Sequence, residues 1–398
     1  MSRIDLICFG YNPWSRMWKR NQQIVYGLAR EPWVGEVLFV NPDVWLASLV
    51  THPVDAMTSL PLSHWRMGWP RRVAPGITAV TPLHAPLESR WPGLRRVAET
   101  VPRRWLAARA GAPVAALVNR PIRPQEPIVR DVWEGAALKV FDWSDDFETF
   151  ESTDRERAEV RAICDHYLRG CDVAFAINDA LGERAGSLAP SVRVVRNGTD
   201  VEGFARAAAG LVRAPRSFER LARPLIGYTG YRVKDRLDLD LIDRLAESRP
   251  GWSFVFVGPR VGREPLEEIL RRRSNVSVHG AIDYADLPGA VAAFDVCILP
   301  NRINRHTMGN DPIKLYDYLA SGRPVVTTAV AGAEALGDAV AVAEAGAPFL
   351  EAIERALASD SGDARRRRLD VASANSWSAR VAEFSSAMRE ALERKGLG

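Results

Sequence analysis

The chain has 398 residues, of which 47% are hydrophobic and 26% charged, so it is globular and long enough for two or three domains. Its formal net charge of +4 is too small to indicate nucleic acid as a partner. The four cysteines lack CxxC and metal-ligand spacing, which predicts buried thiols, a reducing compartment and no metal site. MSRIDLICFG indicates a strand rather than a signal peptide, and no apolar run could span a bilayer, so we expect a cytoplasmic protein.

Strand-like and helix-like segments alternate through the first half of the chain. The predicted strands are IDLICF, EVLFV, GITAVTP, VAALVN, ALKVFDW, CDVAFAI and SVRVVRN. The predicted helices are QQIVYGLAR, LRRVAETVPRRWLAARA and DRERAEVRAICDHYLRG. Such alternation, with short apolar strands, predicts an α/β fold in which helices cover a buried parallel sheet on both faces.

The second half repeats this pattern and predicts a second sheet. Its strands are PLIGYTG, SFVFVG, VSVHG, FDVCILP, PVVTT and AVAVA, and its helices include LDLIDRLAES, PLEEILRRRS, YADLPGAVAA, IKLYDYLASG and APFLEAIERALAS. The region between the halves is rich in Ala, Arg and Pro and has no strand character. We therefore predict a first domain over 1–205, a linker over 206–223, a second domain over 224–372 and a long final helix within 373–398.

The loop GYTGYRVKDRLDLD follows a predicted strand and precedes a helix. Gly230 allows a close backbone approach, and Tyr231, Arg232, Lys234 and Arg236 follow it. Cations beside a helix N-terminus are typical of a phosphate site, and ligands bind at the carboxyl ends of parallel strands. A plain exposed basic turn is an equally good interpretation of the loop.

The stretch LPNRINRHTMGNDPIKLYDYLASG combines a polar loop with a helix. Asp311 is a good N-cap for this helix, and Asn304 in the loop is a candidate ligand residue. Lys314 and Asp317 lie three residues apart and so share a face. Lysine near a helix start is electrostatically unfavourable, and a bound diphosphate would relieve this, while Asp317 could accept hydrogen bonds from a sugar. An ordinary Lys–Asp contact, worth about 0.2–0.5 kcal/mol, is the alternative.

Two stretches of the first half carry further candidates. FGYNPWSRMWKRNQQI mixes aromatic and basic residues that suit sugars and phosphates, and we assign Gly10 to the donor and Trp14, Arg16 and Arg20 to the acceptor. FDWSDDF places Asp145 and Asp146 at a strand end, where one of them could act as a base. Capping of the next helix by either aspartate is the alternative.

Two segments of the first half, HWRMGWPRRV and SRWPGLRRVAETVPRRWLAARAG, combine tryptophan with arginine. Basic amphipathic segments of this kind suit the face of an anionic membrane. They favour a peripheral protein on the inner face of the plasma membrane, and an ordinary solvated basic helix is the alternative.

Together these motifs resemble glycosyltransferases of the two-Rossmann-domain architecture called GT-B, and within it family 4 enzymes of the teichuronic-acid and exopolysaccharide type. The most specific stretch runs from NVSVHG to PVVTT and is similar to the family's P-x-K-x-x-E-Y-L-A-x-G-P-V-V, with Asp317 where the family usually has glutamate. RNGTDVEGF and FDWSDDF look like two more of its motifs. The resemblance implies two doubly wound sheets facing a cleft, and a final helix that crosses back to the first domain.

The resemblance also implies a reaction. A nucleotide sugar, UDP- or GDP-linked, would be held by the second domain as substrate, and its sugar would pass to a saccharide or lipid-linked acceptor with retention and without metal or other cofactor. The matching cations are Arg232, Lys234, Arg236 and Lys314, with Arg236 and Lys314 the catalytic candidates. Asp317 takes the place of the acidic residue that contacts ribose, whereas Gly309 and Asn310 occupy the place of the other family acid.

Other functions of the same architecture stay open from the sequence. A nucleotide-sugar 2-epimerase, the main alternative, and a non-catalytic nucleotide-sugar-binding protein would share these features, and the missing family acid keeps the latter open. A nicotinamide dehydrogenase is a weak alternative because neither half has GxGxxG.

Overall fold

The computed structural model describes residues 3–42, 44–45, 70–84, 113–123 and 127–397. The chain divides into two compact units by its internal packing. The first unit consists of Met1–Val195 and Val381–Gly398, and the second consists of Arg196–Arg380.

The first unit is built on a large, mostly parallel sheet. Its described strands are β1 (Ile4–Phe9), β2 (Val34–Val40), β3 (Val44–Trp45), β4 (Arg71–Ala74), β5 (Ile77–Val80), β6 (Leu83–His84), β7 (Val114–Val118), β8 (Leu138–Trp143), β9 (Val173–Ala176) and β10 (Val192–Val194). Eight of them are ordered β10-β9-β8-β7-β1-β2-β5-β4, and β3 pairs separately with β6. Only β4 runs antiparallel to its neighbour among the described pairs of this sheet.

Helices cover this sheet because its strands are apolar on both faces. The described helices are α1 (Arg20–Leu28), α2 (Pro127–Gly135), α3 (Asp154–Gly170) and α4 (Asp179–Gly186), and a 3₁₀ turn spans Phe147–Phe150. The helix α3 begins with a capping box in which the Thr153 hydroxyl accepts from the Glu156 amide, as its sequence predicts. Phe141, Trp143 and Tyr167 lie at the centre of the core between β8 and α3.

The second unit has a six-stranded sheet in which every described pair is parallel. Its strands are β11 (Leu225–Thr229), β12 (Ser253–Val257), β13 (Val276–His279), β14 (Val296–Leu299), β15 (Val325–Thr327) and β16 (Ala341–Val342). Their order is β13-β12-β11-β14-β15-β16. The reversal of strand order beside β11 places β11 and β14 at the switch point, where ligands of doubly wound sheets bind.

The remaining helices follow in chain order, and all but the last lie within the second unit. They are α5 (Val201–Ala208), α6 (Leu239–Ser248), α7 (Glu267–Arg272), α8 (Leu287–Ala292), α9 (Arg305–Met308), α10 (Ile313–Ala320), α11 (Ala347–Ala358), α12 (Gly362–Ala374) and α13 (Trp377–Arg394), with 3₁₀ turns at Arg216–Arg220 and Glu334–Ala339. None of the helices in the described ranges is both long and apolar enough to cross a lipid bilayer.

The final helix, α13, begins in the second unit and continues into the first from Val381 onward. Its Phe384 ring stacks on Phe175 of β9 with 3.7 Å between ring centroids, and Ser385 accepts a 2.9 Å hydrogen bond from the Trp33 indole. Val381, Phe384 and Met388 recur at helical spacing along α13 and are all buried, so this apolar face packs within the first unit.

Parallel sheets in both halves confirm the predicted fold class. The compact second unit begins at Arg196, whereas the second domain is predicted from 224 onward. Phe204 on α5 and Phe218 in the following 3₁₀ turn are both buried there. The predicted helix LRRVAETVPRRWLAARA lies outside the described residues.

A close contact between α1 and α13 gives a test of this packing. A Cβ atom added at Gly27 would overlap the side chain of Val381, so we expect Gly27→Ala to lower the free energy of unfolding by about 1 kcal/mol, net of its better helix propensity. Chemical denaturation measures this. Gly186→Ala on α4 is the control, because its added methyl would touch nothing within 4 Å. Equal stability of Gly27→Ala and wild type would contradict the packing.

Candidate donor site in the second unit

Two glycines shape the carboxyl edge of the second sheet. Gly230, after β11, has φ of +130°, and Gly258, after β12, has φ of +132°, values that favour glycine. The Gly230 amide donates to Val257 O at 2.8 Å, and a Cβ atom at Gly258 would overlap Gly230 O. The two loops therefore touch backbone to backbone, and a side chain at Gly258 would overlap the backbone of Gly230.

Arg232 holds these loops together from inside. Its side chain is only 4% exposed and makes a 2.8 Å ion pair with Glu264. The guanidinium also donates to Gly258 O and, at 3.1 Å, to His279 O, so it joins the loops that follow β11, β12 and β13. Because these contacts occupy the guanidinium, the geometry favours a structural role for Arg232 over the predicted contact with a phosphate.

Lys314 lies against the Gly230 turn, and Arg236 belongs to the loop that contains this turn after β11. A Cβ atom at Gly230 would overlap the Lys314 side chain, whose Nζ lies 5.4 Å from the centre of the Tyr228 ring. Burial, together with the positive charges of Arg236 and Lys314, lowers the pKa of His306 to about 4, so this imidazole is neutral at pH 7. Lys314 at the start of α10 and Arg236 in the loop after β11 thus both act on the same imidazole.

Backbone and amide contacts fix these two loops to each other. Arg302 donates its amide to Arg236 O at 2.8 Å, and the Asn304 side chain donates to Asp235 O at 2.8 Å. Asn304 also accepts from the Thr307 amide and so caps α9. The predicted ligand residue Asn304 is therefore engaged in joining the loops that carry Arg236 and Lys314.

Asp317 faces inward from α10. It is 4% exposed, and its Oδ1 accepts a 2.7 Å hydrogen bond from the Thr199 hydroxyl. Burial raises its pKa to about 7, the Thr199 hydrogen bond and Lys314 act in the opposite direction, and Asp200 adds to the rise. Thr199 is a partner that local sequence patterns could not have identified, because 118 residues separate it from Asp317.

Asp311 also differs from its prediction, because it does not cap α10. No side chain caps this helix at its first residue, and Pro312 occupies the N-cap position. The Asp311 carboxylate instead accepts from the Asn197 amide at 2.6 Å and from the Tyr316 hydroxyl at 2.8 Å. The fixed φ of Pro312 shapes the start of the helix, which leaves the carboxylate available for these longer-range contacts.

Lys234 and Tyr231 are the other predicted donor residues of this unit. Lys234 is exposed, and Tyr231 is half-buried, which raises the pKa of its hydroxyl. The Tyr231 carbonyl accepts from the Tyr228 hydroxyl at 2.9 Å.

In the first unit, the predicted loop after β1 is held by its own side chains. The Arg20 guanidinium forms a buried 2.8 Å ion pair with Asp142. Trp14 is buried and packs edge-on against Phe39, with 5.1 Å between ring centroids. This engagement favours structural roles for Trp14 and Arg20.

Two more predicted residues of this loop differ in their exposure. Gly10 is buried, and a Cβ atom there would overlap the Phe39 ring, so glycine is required for packing. Arg16 is exposed, so among the three acceptor residues predicted in this loop it is the one whose side chain reaches the surface.

The predicted base candidates follow β8. Asp145 O accepts from the Phe147 amide at 2.9 Å, and Asp146 precedes the 3₁₀ turn without capping it through its side chain. Glu148, which the sequence analysis missed, is buried beside them and binds Arg161 at 2.6 Å and Arg184 at 2.5 Å. This ion-pair network makes the segment after β8 a fixed platform for Asp145 and Asp146.

Solved structures share this fold over nearly the whole chain. The sucrose-phosphate synthase of Thermosynechococcus elongatus matches with a TM-score of 0.68 and 15% identity, over 99% of this chain and 100% of that chain. The α,α-trehalose 6-phosphate synthase of Burkholderia multivorans matches with a TM-score of 0.67 and 14% identity, over 99% and 100%. An E. coli structure bound with UDP-2-fluoro glucose matches with a TM-score of 0.66 and 13% identity, over 96% and 98%. The protein therefore has the GT-B fold, as its motifs predicted.

The second unit can be assigned more specifically. Residues 223–359 match the family described as "Glycosyl transferases group 1", so this part of the chain is a domain of that family. A stretch of 140 residues is 31% identical to TuaH of Bacillus subtilis (strain 168), a protein named as a teichuronic acid biosynthesis glycosyltransferase. The alignment covers 34% of this chain and spans only about a third of TuaH, 34% of its length.

The raised pKa of Asp317 predicts how stability depends on pH. The carboxyl is protonated in the folded protein up to about pH 7 but ionises near pH 3.8 when unfolded, so its contribution to stability falls as pH rises through this window. We expect the thermal midpoint of Asp317→Asn, relative to that of wild type at the same pH, to be higher at pH 8 than at pH 5. Comparison with wild type at each pH cancels other titrating groups. An identical difference at both values would contradict the buried environment of Asp317.

Proposed function

We propose that this protein is a glycosyltransferase that moves a sugar from a nucleotide-sugar donor to a saccharide or lipid-linked saccharide acceptor. The observation that carries the proposal is that Lys314 lies against the Gly230 turn and acts, together with Arg236, on His306, within a part of the chain that matches a glycosyltransferase family. Two cations at the carboxyl edge of a doubly wound sheet suit a diphosphate better than a neutral ligand.

The chemistry follows from this charge arrangement. In the reaction the bond between the anomeric carbon and the diphosphate oxygen breaks, and the acceptor oxygen forms the new bond. Negative charge builds on the leaving diphosphate, so fixed cations stabilise the transition state more than the ground state. Lys314 sits at the start of α10, where the helix dipole adds partial positive charge. The acceptor also loses a proton, and Asp145 and Asp146 are our candidates to receive it.

The finer assignments rest on the family resemblance. We propose a UDP- or GDP-linked donor, retention of anomeric configuration and no dependence on metal. The UDP sugar bound to the structurally similar E. coli protein supports the first of these. We place the reaction in polysaccharide biosynthesis at the cytoplasmic side of the plasma membrane, with support from the name of TuaH.

A donor screen with matched variants tests the proposal. We expect one nucleotide sugar among UDP, GDP, ADP and TDP sugars to raise the thermal midpoint of wild type and to release its diphosphate with an acceptor. Lys314→Ala and Arg236→Ala should each lower kcat by about 10²–10³, the usual effect of losing one group that stabilises a developing anion. Arg355→Ala, whose side chain is 69% exposed on α11, is the matched loss of a cation. Full turnover in both site variants would reject the site, and an epimerised donor formed without acceptor would indicate an epimerase.

A second test addresses the membrane. The two tryptophan- and arginine-rich segments predicted to bind it lie almost entirely outside the described residues, apart from Pro70–Val73. We expect the protein to sediment with anionic phosphatidylglycerol vesicles at low salt and less at high salt, because surface charge attraction is screened. Neutral phosphatidylcholine vesicles are the control. Failure to sediment with anionic vesicles would rule out a peripheral site of this kind.

A further inference from the structure

The segment Arg196–Asp200, here called the connector loop, is where the chain enters the second unit from the first, and Arg380 is where it leaves again. Inside the second unit these two passages are bonded together. The Thr199 amide donates to Asn375 O at 3.1 Å, and the Trp377 amide donates to Thr199 O at 3.0 Å. A Cβ atom at Gly198 would lie 2.9 Å from Asn375 O, so this approach requires glycine.

Two buried carboxylates tie the same loop to α10. Asp311, which is 1% exposed, accepts from the Asn197 amide at 2.6 Å, and its carbonyl accepts from the Asn197 side chain at 2.5 Å. Asp317 accepts from the Thr199 hydroxyl at 2.7 Å. Asp311 lies just before α10, and Asp317 lies about one turn inside it. Lys314 lies between these two aspartates in the sequence.

This arrangement needs an explanation because buried carboxylates are costly unless they are well paired. Two of them meet alternate residues of one short loop, which fixes both the position and the rotation of α10. An Asp317 carboxylate that is buried against Thr199 is also poorly placed to contact the ribose of a donor, the role that the family resemblance implied.

We propose that Asp311 and Asp317 are positioning residues that hold the Lys314 helix against the connector loop, and that Asp317 acts through Thr199 and α10 rather than by contact with the donor. The inference deepens the proposed function and rests on it for the role of Lys314. The connector loop is hydrogen-bonded both to α10, which carries Lys314, and to Asn375 and Trp377. It therefore links this helix to the two segments by which the chain enters and leaves the second unit.

Thr199 offers a test with a matched pair of variants. Thr199→Val keeps the side-chain shape but removes the hydroxyl, and Thr199→Ser keeps the hydroxyl. We expect Thr199→Val to lower kcat/KM for the donor by about tenfold and to speed hydrogen exchange of the α10 amides, with Thr199→Ser close to wild type in both. Asp317→Leu, which removes the acceptor oxygen, should also reduce kcat/KM, and the double variant Thr199→Val/Asp317→Leu should lose less than the product of the two single effects.

The contrary results are distinct. If Asp317 contacts the ribose, then Asp317→Asn weakens UDP or GDP in titration calorimetry but not inorganic pyrophosphate, while Thr199→Val leaves all three unchanged, and the inference is overturned. Unchanged α10 exchange in Thr199→Val also overturns it. The exchange measurement needs no ligand, so it decides on the tie even if wild type binds no nucleotide sugar, which would reject the proposed function instead.

Discussion

The placement of Lys314 and Arg236, which both act on the His306 imidazole, is the constraint on which our account of the second unit depends. Like charges repel, so a protein that holds two of them together must fix each one from several sides. Here the absence of a side chain at Gly230 leaves room for the aliphatic part of Lys314. Arg302 and Asn304 donate hydrogen bonds to the loop that carries Arg236, and two buried aspartates bind α10 to the connector loop. This is electrostatic preorganisation, in which folding rather than the reaction provides the orientation of the charges.

Other cations of the chain show the contrast between framework and site. Arg232 and Arg20 are each buried in ion pairs with one carboxylate, Glu264 and Asp142, and join elements that are distant in sequence. Removing one partner of such a pair would leave an uncompensated buried charge, which costs about 3–5 kcal/mol. Arginine can serve as framework in this way because it stays charged and donates from several directions.

The sequence predicted both parallel sheets, the loops at the carboxyl edge of the second one, and the candidate cations on those loops. It could not predict which cations are committed to partners, because Glu264 and Gly258 approach Arg232 only through the folded loops. Asp311 illustrates the same limit: a good local cap is used for a long-range contact with Asn197. Phe218 of the predicted linker is buried in the core against Phe294 and His279, partners that lie far from it in the sequence.

A crystal structure with a bound nucleoside diphosphate tests the central claim most directly. The account predicts diphosphate oxygens at charge-assisted hydrogen-bond distance, about 2.7–2.9 Å, from Lys314 Nζ and from the Arg236 guanidinium, beside the Gly230 turn. A diphosphate that binds elsewhere, with both side chains remote from it, would contradict the account.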